Sequence, residues 1–183
     1  APGCKVGLAL TGDAYIPASP SPEDVAAAKT ATFHLFPDRF VWSHGWWGDG
    51  IVHGRYHDDA EKTFGWEMPR IGPNDMKTMS PSLDFWGQNI YSSMPTKADG
   101  SGGFQIVPPP VGHWKTGIGW AVTPEVMYYL PKFLYERYQL PIYQTENGLS
   151  NADFPSPDGK VRDPNRIDFL NAYLHNFRRA AED

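Results

Sequence analysis

Three largely apolar runs occur along the chain, each of a length typical of a single buried strand. They are KVGLAL (5–10), LDFWGQNIY (83–91) and PIYQT (141–145). Apolar runs without strict polar alternation are typical of strands covered on both faces, as in a parallel sheet. The pattern therefore predicts parallel strands near 5–10, 84–90 and 141–145, lying side by side in sequence order.

Each run is followed by a helix-start signal, in which a capping side chain precedes a proline. The three signals are Ser21-Pro22, Thr123-Pro124 and Asp163-Pro164. Proline is favoured at the first helical position, and the residue before it can accept a backbone N–H. We expect helices over 22–36, 124–138 and 164–181, all on one side of the sheet. Pro37 should end the first helix, and Pro131 should kink the second or divide it in two.

The last helix carries an apolar stripe at helical spacing. Its members recur at intervals of three and four residues: Ile167, Leu170, Leu174, Phe177 and Ala181. Such spacing places side chains on one face of a helix. We therefore expect this face to lie on the sheet.

The threefold order of strand and helix predicts an α/β fold with helices outside a parallel sheet. The connections are long: segment 38–80 has at most short helices, and loop 92–119 is rich in Gly and Pro. A loop of that length should be functional or mobile. A closed eight-stranded barrel takes about 250 residues, so a chain of 183 residues with such connections is predicted to be part of a larger fold.

Composition and charge exclude several classes of partner. The net charge of -5, without a Lys/Arg-rich run, argues against nucleic acid, and no apolar stretch approaches the roughly 20 residues of a membrane span. The single Cys4 excludes an internal disulfide, and the six histidines form no HExxH motif, so no metal site is expected. The free cysteine favours a cytoplasmic location slightly, but the compartment stays open. An aromatic content of 14% fits stacking on sugars as well as core packing.

The third run ends in Glu146-Asn147-Gly148, where a carboxylate meets a turn at the end of an apolar strand. A charge in that position is costly unless it is used. PIYQTENGLS (141–150) resembles the nucleophile signature of glycoside hydrolase family 1, the β-glucosidase family, and LDFWGQNIYSS (83–93) resembles its sixth strand. Three further segments resemble the same family in the same order: PASPSPEDVAAA (17–28), the segment 117–148 that begins GIGW and ends TENG, and VRDPNRIDFLNAYLHNFRRAAED (161–183).

The resemblance implies a fold, a substrate class and four site residues. It predicts part of a TIM (β/α)8 barrel, about three βα units around strands five to seven, acting on a β-glucoside or an oligosaccharide without a cofactor. Glu146 matches the nucleophile, Tyr91 the tyrosine that holds it, and Asn89 an asparagine in the same pocket. Trp120 matches an apolar platform on the leaving-group side. The alternatives are a solvated turn carboxylate at Glu146 and core packing for Tyr91 and Trp120.

Some positions depart from the family pattern. Gln144 stands where the family usually has an aliphatic residue, and Ile90 replaces a usual aromatic. By strand alternation Gln144 shares the face of Glu146, so we expect a polar group inside the barrel. Thr11 and Asp13 also differ from many members, which leaves the aglycone preference undetermined.

The resemblance further implies that residues 1–183 are a single incomplete barrel domain, without the first four strands or the last. The second catalytic carboxylate would lie in the missing part, so the isolated chain is expected to be inactive. The rest of the barrel would come from another chain or from uncovered sequence, or the open sheet edges would be covered by self-association. The alternative is a half-barrel binding or structural protein without catalysis. A nucleotide-binding domain is disfavoured, because no strand is followed by GxGxxG or GxxxxGK[ST].

Overall fold

The computed structural model describes residues 3–183 and contains six strands and six α-helices. The strands are β1 (Gly7–Thr11), β2 (Tyr15–Pro17), β3 (Phe85–Asn89), β4 (Met94–Ala98), β5 (Phe104–Ile106) and β6 (Ile142–Glu146). The helices are α1 (Pro22–Phe33), α2 (His44–Gly48), α3 (Ala60–Phe64), α4 (Asp75–Met79), α5 (Val126–Tyr138) and α6 (Pro164–Glu182). Segment 38–80 thus holds only short helices, as the sequence predicts.

The three predicted strands form one sheet in the order β1-β3-β6. Both pairings are parallel, with Gly7 opposite Phe85 at one end and Thr11 opposite Asn89 at the other. The prediction of parallel strands in sequence order is therefore confirmed. Because parallel strands end at the same edge, the side chains that follow β1, β3 and β6 are brought together there.

A second small sheet, absent from the sequence-based expectation, lies beyond that edge. β2 pairs in parallel with β4, and β4 pairs antiparallel with β5. The first part of loop 92–119 is thus a β-hairpin, whose turn is capped by Asp99: its carboxylate accepts the amides of Ser101 (2.8 Å) and Gly103 (2.9 Å). The strands are too short and too rich in turn residues to give a clear period-2 pattern.

Two of the three long helices begin at the predicted caps, whereas α5 begins at Val126, with Glu125 and not Thr123 before its first residue. Ser21 accepts the amide of Asp24 at 3.1 Å at the start of α1, and Asp163 accepts the amide of Arg166 at the start of α6. α1 ends at Phe33, before Pro37 is reached. The expectation that Pro131 divides the second helix is wrong: α5 runs unbroken from Val126 to Tyr138, with the Pro131 side chain buried. Proline removes one helical hydrogen bond, and packing of this apolar face holds the helix together.

The expected orientation of α6 is also wrong for four of the five stripe residues, which are exposed, while Phe177 packs against the core. Ile167, Leu170 and Leu174 are 60%, 40% and 55% exposed, whereas Phe169 and Tyr173 are fully buried. The two aromatic rings stack at 3.8 Å and belong to the main core cluster together with side chains of α5. Aromatic side chains bury more area than Ile or Leu, so they determine which face of α6 points inward.

The main core lies between the sheet and the helices. Trp86 of β3 is fully buried and stacks on Tyr138 of α5, with ring centroids 4.5 Å apart and planes 7° apart. α1 adds Ala28, Ala31 and Phe33 to the same cluster. The opposite face of the sheet is open: Phe85 and Tyr143 contact each other there at 4.7 Å, and Tyr143 is 49% exposed. No helix within residues 3–183 is both long and apolar enough to cross a membrane.

Candidate active site

A β-bulge determines where Glu146 points. Gln144 pairs with Gln88, but the next pair is Glu146 with Asn89, so Thr145 is an extra residue on β6. Gln88 is buried on the helix side, where it accepts the indole N–H of Trp86 at 2.9 Å. Residues paired across parallel strands share a face, so Gln144 belongs to the helix side and Glu146 to the open side. The expectation that Gln144 shares the face of Glu146 is therefore wrong, because the bulge shifts the alternation by one residue.

Tyr91 and Glu146 are in direct contact at the ends of neighbouring strands. The Tyr91 hydroxyl donates a hydrogen bond to Oε2 of Glu146. This bond raises the pKa of Tyr91 to about 12, with burial and the nearby negative charge adding to it. The backbones are joined as well, since the Ile90 amide donates to the Glu146 carbonyl at 2.9 Å. The carboxylate itself is exposed.

Asn89 lies opposite Glu146 on the open face, and a neighbour orients its side chain. The Thr145 hydroxyl donates to Oδ1 of Asn89 at 2.6 Å. Thr145 lies on the open face by ordinary alternation with Tyr143, and the bulge brings Glu146 to the same face beside it. Within residues 3–183, the amide nitrogen of Asn89 has no protein partner, so it can donate to a ligand.

Trp120 stands against Tyr91 at the mouth of a cavity. The two ring centroids are 5.7 Å apart with planes at 54°, and the indole is 48% exposed. Asn89, Tyr91 and Trp120 all line a cavity of about 430 Å³. Glu146 lies beside this cavity, in contact with Tyr91, and does not line it.

A charged pair also lines the cavity, and sequence reasoning gave neither of its members a site role. Asp13 and Arg39 approach to 3.5 Å and both line the cavity, next to Trp42. Burial raises the pKa of Asp13, and the Arg39 guanidinium opposes this effect. No sequence motif indicated Arg39, because it lies in segment 38–80, which has no regular spacing of apolar residues. A bound group in this cavity would meet both polar and aromatic surface.

The loop after Glu146 is fixed by Arg166 of α6. Its Nε donates to the Leu149 carbonyl at 3.2 Å, and its terminal nitrogens pair with Asp153 at 2.6 Å and Asp163 at 2.7 Å. Ser150 then accepts the amide of Gly117, three residues before Trp120, at 2.8 Å. The loop after β6 and the loop that carries Trp120 are therefore joined. No group of three metal-ligating side chains occurs within residues 3–183.

The four residues named from the sequence thus lie at one edge of the sheet, with three of them lining one cavity. A hydrogen-bonded carboxylate, an amide and two aromatic rings meet where β1, β3 and β6 end. Polar groups at the carboxyl ends of parallel strands are the usual place for a site in α/β barrels. The fold and the site define a segment of an α/β barrel with a carboxylate at the edge where its parallel strands end.

Comparison with known proteins gives the family. The family model described as Glycosyl hydrolase family 1 matches residues 1–183, and the chain belongs to this family. A β-glucosidase from Agrobacterium sp. is 34% identical over 179 residues, covering 95% of this chain and 37% of that protein. A 1,4-β-D-glucan glucohydrolase from Thermotoga neapolitana is 32% identical over 180 residues, covering 98% of this chain and 41% of that protein.

Solved structures agree with the sequence comparison. A family 1 β-glucosidase from Thermotoga maritima superposes with a TM-score of 0.76 at 30% identity, covering 98% of this chain and 39% of that one. The virulence factor SghA from Agrobacterium tumefaciens gives a TM-score of 0.76 at 33% identity, covering 100% of this chain and 40% of that one. The chain therefore spans about two fifths of the length of these relatives and corresponds to part of their TIM (β/α)8 barrel.

Proposed function

We propose that this chain carries the catalytic nucleophile, Glu146, of a retaining β-glucosidase. In this proposal residues 1–183 are a single incomplete barrel domain, and hydrolysis of β-glucosides requires the remaining strands of the barrel. A retaining enzyme uses one carboxylate as the nucleophile and a second, about 5–5.5 Å away, as acid and base. The second carboxylate would come from the remaining strands, so the isolated chain would be inactive.

The observation that carries the proposal is the hydrogen bond from Tyr91 to Glu146. A nucleophilic carboxylate must stay ionised and must be held in one orientation, and an O–H donor on a rigid strand end favours both. Glu146 is exposed on the open face of the sheet, so its other oxygen can approach a sugar. Asn89 would donate to a sugar hydroxyl near the reacting carbon, and Trp120 would stack on the leaving group.

The names of the relatives support a β-glucoside or a related oligosaccharide as the substrate. One is a β-glucosidase and another a 1,4-β-D-glucan glucohydrolase. The β-glucosidase from Thermotoga maritima has also been solved in complex with glucoimidazole. We extend this substrate class to the present chain because the matched region includes the strand ends that carry Asn89, Tyr91 and Glu146.

Covalent labelling tests the proposal. A 2-fluoro-glucoside with a good leaving group needs no acid in the first step, so it reports the nucleophile alone. The isolated chain should show little labelling, since it lacks most of the sugar-binding strands. Supplying the remaining strands from the Agrobacterium relative should restore both labelling and turnover. Peptide mass analysis should then place the label on Glu146.

The matched control separates the nucleophile from other carboxylates. Glu146→Gln should abolish labelling and turnover, whereas Glu125→Gln, at an exposed position before α5, should leave both unchanged. A label on another carboxylate, or turnover that survives Glu146→Gln, would overturn the assignment. Failure of every complemented form to label would favour the alternative, a half-barrel with a binding or structural role.

A further inference from the structure

Tyr173 connects α6 to the candidate site through a buried hydroxyl group. The side chain is fully buried. Its hydroxyl donates to the Tyr91 carbonyl at 2.9 Å and accepts the Thr123 amide at 2.9 Å. Burial raises the pKa of Tyr173 to about 12, so the group stays a donor over the whole neutral range. One side chain thus satisfies two backbone groups from different loops.

The two backbone groups belong to segments that run side by side at the site. Segment 91–93 follows β3, and segment 121–123 leads from Trp120 towards α5. Two further bonds join them: Ser92 Oγ donates to the Ala121 carbonyl at 2.7 Å, and Ser93 Oγ donates to Thr123 Oγ1 at 2.8 Å. Of these bonds, only those of Tyr173 also attach the pair of segments to a helix.

We propose that Tyr173 is a positioning residue, which fixes the backbone of Tyr91 so that its phenol is aimed at Glu146. The same hydroxyl holds the segment after Trp120, and so sets the 5.7 Å spacing between the Tyr91 and Trp120 rings. Groups in a catalytic site must be held to within about 0.5 Å of the productive geometry. The importance of this role for catalysis rests on the proposed function of Glu146. The hydrogen bond from Tyr173 to the Tyr91 carbonyl does not depend on that function.

Tyrosine NMR tests the role in the chain itself. With ¹³Cζ-labelled tyrosine, the Tyr91 resonance is assigned by its loss in Tyr91→Phe, and Glu146→Gln gives its position without the charged acceptor. Tyr173→Phe removes one oxygen atom and keeps the ring in the core. We expect the Tyr91 resonance in Tyr173→Phe to move towards its position in Glu146→Gln.

Tyr138→Phe is the matched control for a loss of stability. Tyr138 is also a buried tyrosine whose hydroxyl has two hydrogen-bond partners, here both acceptors: the His44 carbonyl at 2.9 Å and Asp49 at 3.1 Å. It lies on the core side of α5. Both variants should therefore lower the unfolding midpoint. Only Tyr173→Phe should move the Tyr91 resonance. An unmoved resonance in Tyr173→Phe, or an equal movement in Tyr138→Phe, would overturn the proposal.

Labelling in the complemented barrel adds a kinetic readout. Tyr173→Phe should label at Glu146 about tenfold more slowly, the effect of losing one buried hydrogen bond in the reacting arrangement. Tyr138→Phe should label at the parental rate, and an equal slowing in both variants would contradict a positioning role. The two proposals fail separately: without labelling at Glu146 the proposed function fails, while the resonance shift still decides the role of Tyr173.

Discussion

A drop in pH from 7 to 5 should destabilise the fold through one buried histidine. His44 opens α2 and is 1% exposed. Burial lowers its pKa from 6.5 to about 4, against a smaller opposing effect of the Asp13 backbone. The unfolded chain takes up a proton near pH 6.5 and the folded chain only near pH 4. Stability is therefore lost as the pH falls between these two values, and the loss is complete below about pH 4.

The size of the effect follows from the two pKa values. Each pKa unit corresponds to about 1.4 kcal/mol, so the full loss is about 3 kcal/mol and the part reached by pH 5 is about 2 kcal/mol. The packing leaves little room for relaxation, since a methyl group on Gly12 would lie 2.7 Å from the imidazole. Neither ring nitrogen makes a well-formed hydrogen bond within residues 3–183, and the nearby Asp13 backbone offsets only a smaller part of the cost of a proton on the buried ring.

Urea unfolding of a non-titrating variant at both pH values isolates this contribution. His44→Leu replaces the imidazole with a non-titrating apolar side chain of similar size and removes no well-formed side-chain hydrogen bond. The free energy of unfolding of the parent should fall by about 2 kcal/mol more than that of His44→Leu between pH 7 and pH 5. His175→Leu, at an exposed position on α6, controls for the loss of a histidine. Equal pH dependence in the parent and His44→Leu would refute the reasoning.

Three further predictions concern single side chains. Asp49→Ala leaves the guanidinium of Arg137 without its partner at 2.5 Å, so urea unfolding should show a loss of about 3 kcal/mol; a loss below about 1 kcal/mol would contradict the role of this ion pair. Gly87→Ala places a methyl group 2.2 Å from a carbonyl oxygen of β1 and should lower stability by about 1–3 kcal/mol, whereas unchanged thermal unfolding would show that the strands can separate. Glu146→Gln removes the charged acceptor that raises the pKa of Tyr91 to about 12, so NMR titration of the phenol should give a value closer to 10; an unchanged value would show that the contact is not formed.

The sheet and the long helices could be predicted because their signals are local. The apolar runs near β1, β3 and β6 mark buried strands, and Ser21 and Asp163 before proline mark helix starts. The orientation of α6 was not predictable in this way. Ile167 and Leu170 are at good helical spacing, but Tyr173 offers a ring to bury and a hydroxyl with two backbone partners. Those partners come from distant parts of the chain, so no local pattern contains them.

The residues of the candidate site were likewise predictable where a local motif marks them, and not where their position depends on contacts between distant segments. Glu146, Tyr91, Asn89 and Trp120 were found through their motifs, and they do lie at one edge of the sheet. Arg39 was missed, because its approach to the cavity depends on how segment 38–80 folds back over the end of β1. Backbone hydrogen bonds such as that from the Asp13 amide to the Trp42 carbonyl, at 2.9 Å, hold that segment in place.

The bulge at Thr145 and the glycine in β3 lie side by side near the end of the sheet. Strand alternation counts residues, so an extra residue on β6 reverses the face of everything after it. Without the bulge, Glu146 would lie opposite Ile90 on the helix side, and its charge would be buried in the core. The Thr145 methyl lies on the open side by ordinary alternation, and a Cβ on Gly87 would lie 2.8 Å from it and 2.2 Å from the Leu8 carbonyl oxygen of β1. Gly87 therefore lets β3 lie close to β1 on one side and to the bulged end of β6 on the other, where Glu146 turns outward.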